Sequence, residues 1–317
     1  MQPRTLTATL VALLAILAIA GCGAAGEKIG TDATEDAEVR VTTTTNFITD
    51  IVGEVGGERV AIDGLLGPGV DPHLYKASAG DVTRLREADI VFFNGLYLEA
   101  KMQDVFEEIS EDKPVVAVSD EMPRDQLLSP PAGAAPEEEY DPHVWFNVDL
   151  WKHAVESVRD GLIEVDPEGE ATYRRNAAAY LGKLDRLDRE TARKIASIPE
   201  QRRVLVTSHD AFRYLGDRYD IDVAAIQGIS TAGEATTEDI ERVAALIADR
   251  GVKAVFIESS VPPQTIEAVL ASAAEQGQDA VVGGELFSDA AGEQGTPEGT
   301  YIGMVESNVN NLVEGLK

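Results

Sequence analysis

The chain has 317 residues, room for two domains, and its 44% hydrophobic and 26% charged residues are the balance of a globular protein. Its 56 acidic residues outnumber 27 basic ones, for a formal net charge of −29. That argues against a nucleic-acid partner, which needs a basic face, and fits a solvated acidic surface whose field attracts cations.

Residues 1–21 read as a targeting segment. "MQPRTLTATLVALLAILAIAGC" carries one positive charge, Arg4, then an apolar run from Leu10 to Ala20 that suits a signal segment better than a membrane span. The small residues before Cys22 resemble a bacterial lipobox. This resemblance implies cleavage before Cys22, lipid attachment to its sulfur and a membrane anchor. Cys22 is the only cysteine, so no intramolecular disulfide can form. Residues 22–38 are small, polar and acidic, and read as a flexible tether.

Short apolar runs then alternate with helical patterns. Residues 39–45, "VRVTTTT", predict a strand, and "NFITDIVGEVGG" a helix stopped by Gly56-Gly57. "RVAIDGLLG" predicts a strand ending in a Gly-Pro-Gly turn, followed by the capped helix "SAGDVTRLREA", the strand "DIVFFNG", the helix "LEAKMQDVFEEIS" and the strand "PVVAVS". A Pro- and Ala-rich loop spans residues 120–140, and a helix begins near Asp149. Residues 166–199 keep helical spacing with only Gly182 as a breaker, a helix of some 30 residues and about 45 Å. The second half repeats the alternation: strand "RVLVTS", helix "DAFRYLGDRY", strand "IDVAAIQG", helix "TTEDIERVAALIADRG", strand "KAVFIES", helix "PPQTIEAVLASAAEQG", strand "DAVVGG" and a final helix. The pattern predicts an α/β protein of two βα sandwich lobes with mostly parallel strands, at 39–165 and 200–317, joined by one long rigid helix at 166–199.

Phosphate-loop, nucleophile-elbow and His-Glu-x-x-His motifs are all missing. The chemistry is left to four histidines. His153 lies within a helix and reads as a surface residue. His73, His143 and His209 each fall at or near the C-terminal end of a strand, or in a loop beside one, where open α/β sheets bind ligands. Two of them follow the same dipeptide, at Asp71-Pro72-His73 and Asp141-Pro142-His143. Proline stiffens the backbone before the ring, and the aspartate is placed to accept an imidazole N–H. Three neutral imidazoles suit Zn, Mn, Fe or Ni. A carboxylate would complete the shell; Asp289, in the loop after the last strand, is the first choice and Glu285 the reserve.

The motifs "GVDPH", "ADIVFFNGLYLE", "DPHVWFN", "TSHDAFRYLGDRYDI", "FIESSVPP" and "ELFSDAAG…GTYIGMVESNVNNLV" together resemble the zinc/manganese solute-binding lipoproteins of ABC importers, the TroA-like fold. The resemblance runs from about Val39 to the end. It implies a metal held in the cleft between the lobes by His73, His143, His209 and Asp289. It implies Zn2+ or Mn2+ as the transported ligand, an ABC permease and its ATPase subunit as partners, and an extracytoplasmic monomer. Two other readings stand beside it: a surface adhesin of the same family, and a membrane-anchored metallohydrolase with Asp210 as base.

Overall fold

The computed structural model describes residues 37–131 and 134–317; Cys22, the targeting segment and most of the tether lie outside them. The first sheet is built from β1 (Val39–Thr43), β2 (Val60–Gly64), β3 (Ile90–Phe93) and β4 (Val115–Ala117). All its pairings are parallel and its order is β2-β1-β3-β4. Valine, isoleucine and phenylalanine fill β3 because both faces of a parallel sheet are covered by helices. Those helices are α1 (Asn46–Gly56), α2 (Ala79–Glu87), α3 (Gln103–Ser110) and α4 (Val148–Val165).

The second half has β5 (Val204–Thr207), α6 (Arg213–Tyr219), β6 (Asp222–Ala225), α7 (Thr237–Arg250), β7 (Ala254–Glu258), α8 (Gln264–Glu275), β8 (Val281–Leu286) and α9 (Tyr301–Leu316). Strands β5 and β6 pair in parallel, as do β7 and β8. Since β5 also lies against β7, the succession β6-β5-β7-β8 repeats the order of the first sheet. In both halves the chain reverses its direction of winding beside the first strand, which opens a crevice at the strands' C-terminal ends. Local chemistry fixes the helix ends. Thr236 and Asp239 form a capping box at the start of α7, and Gly251, at φ 62°, stops it. Thr236→Ala is expected to lower stability by about 1 kcal/mol in chemical denaturation.

The long connector is a single 3-10 turn, Pro167–Gly169, followed by α5 (Glu170–Ile195), 26 residues and about 39 Å long. Its buried stripe of Tyr173, Ala177, Tyr180, Leu184, Leu187 and Ile195 packs on α1 and α4 of the first lobe and on α9 of the second. Asp50 on α1 joins three helices, accepting from the Tyr180 hydroxyl (2.9 Å) and the Tyr301 backbone N–H (3.1 Å). The largest hydrophobic core cluster crosses the lobe boundary without a break, from Phe47 and Trp151 to Tyr301 and Leu312, while each half has a smaller cluster of its own. Trp151 stacks on Tyr301 at 5.6 Å, and Phe146 on Phe212 at 4.4 Å. Among the described residues no helix is long and apolar enough to cross a membrane.

Two elements differ from the sequence expectation. Gly283-Gly284 reads as a stop but lies inside β8, which runs on to Leu286. A Cβ on Gly283 would lie 2.8 Å from the Ala254 Cβ and 3.3 Å from the Phe256 ring, so glycine there admits the side chains of the neighbouring strand. Helix α6 starts at Arg213 rather than Asp210, whose backbone N–H is spent on the Gly228 carbonyl.

Candidate metal centre

His73 lies in the loop after β2, and His143 ends the irregular stretch before α4. His209 follows β5, and Asp289 follows β8. Two residues from each half therefore converge at the crevice. All four are buried, and each offers a ligand atom within 4.8 Å of the others. His73 Nε2 is 3.4 Å from His143 Nε2 and 3.6 Å from Asp289 Oδ2. Asp289 Oδ1 is 3.5 Å from His143 Nε2, and its Oδ2 is 3.3 Å from His209 Nε2.

Surrounding carboxylates set the direction of two rings. Asp141 Oδ1 accepts the backbone N–H (3.0 Å) and the ring Nδ1–H (2.8 Å) of His143, which turns its Nε2 lone pair toward the cluster. Glu258, at the end of β7, does the same for His209: one oxygen accepts the backbone N–H (2.9 Å), the other meets ring Nδ1 (2.5 Å). Asp71 departs from the expected role. Its Oδ1 accepts the backbone N–H of His73 (2.9 Å), and its Oδ2 accepts from the Thr231 hydroxyl (2.6 Å), so the His73 ring is not among its partners.

Each lobe braces cluster residues of the other. Arg213, on the helix after His209, donates to Asp141 Oδ2 (3.2 Å), and the Tyr214 hydroxyl donates to the Asp141 carbonyl (3.0 Å). In the other direction, the Trp145 indole N–H donates to the carbonyl of Ser288 (3.0 Å). The Asn46 side-chain amide makes a paired contact with the Ala291 backbone, donating and accepting at 2.8 Å. The segments carrying His143 and Asp289 are thus each anchored by a side chain of the opposite half.

Charge and burial oppose each other in the cluster. Burial pushes the His73 imidazole down to about 3, so that ring is neutral at physiological pH. For His209 burial acts in the same direction, but the Glu258 and Asp289 carboxylates outweigh it and raise the ring well above its ordinary value. Burial alone would raise the Asp289 carboxyl. The His209, His143 and His73 rings reverse this and hold it well below the usual carboxylate range. His209 Nε2 and both Asp289 oxygens are buried with no hydrogen-bond partner. Buried polar atoms are nearly always paired, and these converge on one point, so a cation fits them.

The structure brings together His73, His143, His209 and Asp289 and leaves out the other candidates. Glu285 is on β8, exposed and outside the cluster, because the strand continues past the glycines. His153 is on α4, partly exposed beside Glu156 (3.3 Å). Asp210 is partly exposed, with Arg213 Nε at 3.7 Å, and burial raises its carboxyl to about 6. Sequence reasoning missed Glu258, Arg213 and Thr231. Only Glu258 left a signal: a lone acid closing the apolar strand "AVFIE".

Comparison with known proteins agrees with this architecture. The family model described as zinc-uptake complex component A, periplasmic, matches residues 41–315. The manganese-binding lipoprotein MntA of Bacillus subtilis is 43% identical over 305 residues, 96% of this chain and 97% of its own. The zinc-binding protein TroA of Treponema pallidum is 45% identical over 285 residues, 90% of this chain and 91% of its own. A solved structure of the periplasmic zinc-binding protein TroA from Treponema pallidum superposes with a TM-score of 0.85, covering 88% of this chain and 99% of that one. With a family model spanning nearly all the described residues and two relatives above 40% identity over nine-tenths of the chain, this protein belongs to the zinc-uptake component A family of metal-binding solute receptors.

Proposed function

We propose that the chain captures a divalent transition metal, Zn2+ or Mn2+, outside the cytoplasm and delivers it to an ABC permease driven by its ATPase subunit. The observation that carries this reading is the convergence of three buried imidazoles and one buried carboxylate whose inward-facing atoms lack other partners. His73, His143, His209 and Asp289 hold the ion, and lipid on Cys22 tethers the receptor to the membrane. The chain is a solute-binding protein rather than an enzyme. Four protein residues occupy the whole shell, whether Asp289 binds through one oxygen or both, whereas a hydrolytic zinc keeps a position open for water.

The relatives name two different metals, manganese and zinc. Both Asp289 oxygens face the imidazoles, which supports bidentate ligation and a five-coordinate site that accommodates Mn2+. Zn2+ still binds such a nitrogen-rich site more tightly in vitro by the Irving–Williams order. Titration of the metal-free protein with each ion is expected to give one equivalent per chain, with Zn2+ the tighter. No saturable uptake of either ion would remove the reading. Metal analysis of protein taken from its native envelope identifies the physiological cargo.

The raised His209 pKa gives a pH dependence with a definite sign. The ion has to displace the His209 proton, so binding near neutral pH releases a proton and apparent affinity falls as pH drops. His73, neutral down to about 3, adds nothing to this slope in the physiological range. Calorimetry in buffers of different ionisation enthalpy is expected to show proton release from the protein on Zn2+ binding. Zero release at neutral pH would contradict the electrostatic arrangement.

A further inference from the structure

The four ligands are not held equally. His143 is fixed at ring and backbone by Asp141, which is itself gripped by Arg213 and Tyr214. His209 is fixed at ring and backbone by Glu258. Asp289 sits between the Ser288 carbonyl held by Trp145 and the Ala291 backbone held by Asn46. His73 is different. Among the described residues its ring has no hydrogen-bond partner outside the cluster, and only its backbone N–H is held, by Asp71.

His73 also lies at the rim. It retains 3% exposure where His143 and His209 have none, and the next residue, Leu74, is 50% exposed. Its loop reaches across to the second lobe at two places. Gly69, at φ 69°, turns so tightly that a Cβ there would lie 3.3 Å from the Ser259 carbonyl. Two residues on, Asp71 Oδ2 receives the Thr231 hydroxyl, from the segment between β6 and α7. The chain of contacts is short: the second lobe holds Thr231, Thr231 holds Asp71, and Asp71 holds the backbone of a ligand.

Within the metal-capture reading, we propose that Thr231 is a positioning residue that latches the His73 loop across the cleft, so that His73 is the last ligand to close on the ion and the first to leave it. Arg213 fills the equivalent position at the other Asp-Pro-His, with a charged group in place of a hydroxyl. Asp141 is also held from the second lobe by the Tyr214 hydroxyl on its carbonyl, whereas among the described residues Thr231 is the one cross-lobe hydrogen-bond partner of Asp71. The two aspartates thus have the same construction, one oxygen on the histidine backbone and one on the opposite lobe. They differ in how easily the second contact opens.

The test is Zn2+ release from the loaded full chain into excess chelator, followed with a fluorescent zinc indicator, for wild type, Thr231→Val and Thr231→Ser. A hydrogen bond to a carboxylate is lost in the valine variant, so its dissociation rate is expected to rise about tenfold. Its association rate stays at the wild-type value, because the open loop is the state that receives the ion. Serine keeps the hydroxyl and is expected to release at the wild-type rate. A valine variant releasing as slowly as wild type overturns the latch while leaving metal capture intact. Serine releasing as fast as valine, or association slowed as much as release is speeded, assigns Thr231 a packing role and also overturns it. Wild type that takes up no Zn2+ removes the metal-capture reading and the latch with it.

Discussion

His209→Ala is expected to weaken Zn2+ binding by about two to three orders of magnitude while the chain stays folded. Zinc sites of four protein ligands are worth about 10–16 kcal/mol, so one imidazole carries about 3–4 kcal/mol of it. The loss at His209 falls at the upper end because Asp289 Oδ2, its neighbour at 3.3 Å, is then left as a buried charge with one fewer partner. The side-chain contacts of His209 are Glu258, Asp289 and the two other imidazoles of the cluster, so circular dichroism of the variant should match wild type. Chelator competition giving wild-type affinity in that variant would falsify the ligand assignment.

Glu258→Gln is expected to weaken Zn2+ about 10- to 100-fold although Glu258 never faces the ion. Its carboxylate accepts both the backbone and the ring N–H of His209. Glutamine offers only one accepting oxygen, so one of these two contacts is lost and the ring's Nε2 is no longer aimed. The negative charge that favours a cation in the cleft is lost as well. The pH profile separates this from a simple loss of packing. Glu258 is the leading carboxylate that raises His209, so in the variant His209 loses its proton at lower pH and the proton released on binding at neutral pH diminishes. An unchanged proton count alongside weakened affinity would mean that Glu258 acts through packing alone.

The sequence exposed the alternation of elements with little ambiguity, because parallel strands buried on both faces are almost wholly apolar. "IVFF" in β3 and "VLVT" in β5 are examples. It also singled out the three histidines that the structure brings together, since four histidines are few and two share the Asp-Pro-His context. What it concealed was partnership. The periodicity of α5 marks Tyr173, Tyr180 and Leu187 as buried but does not say against which helices. The core cluster joining both lobes therefore emerged only in three dimensions. Glu258 and Thr231 were hidden for the same reason. They stand 49 and 160 residues from the groups they hold, and among 56 acidic residues one carboxylate at a strand end does not stand out. Glu285 was a reasonable reserve until β8 was found to continue beyond its glycines, where Ala254 and Phe256 need the space.

The unbroken core has a consequence for the importer. A receptor whose halves are packed together through Trp151, Tyr301, Phe146 and Phe212 is expected to change its outline little when cargo binds. Its permease then cannot judge occupancy from overall shape, as it could with a receptor that snaps shut. An empty receptor that docked as well as a full one would drive futile cycles of ATP hydrolysis. Discrimination has to be read from a small patch that changes when the ion arrives. The loop carrying Asp71, His73 and exposed Leu74 is where the cluster comes nearest to solvent.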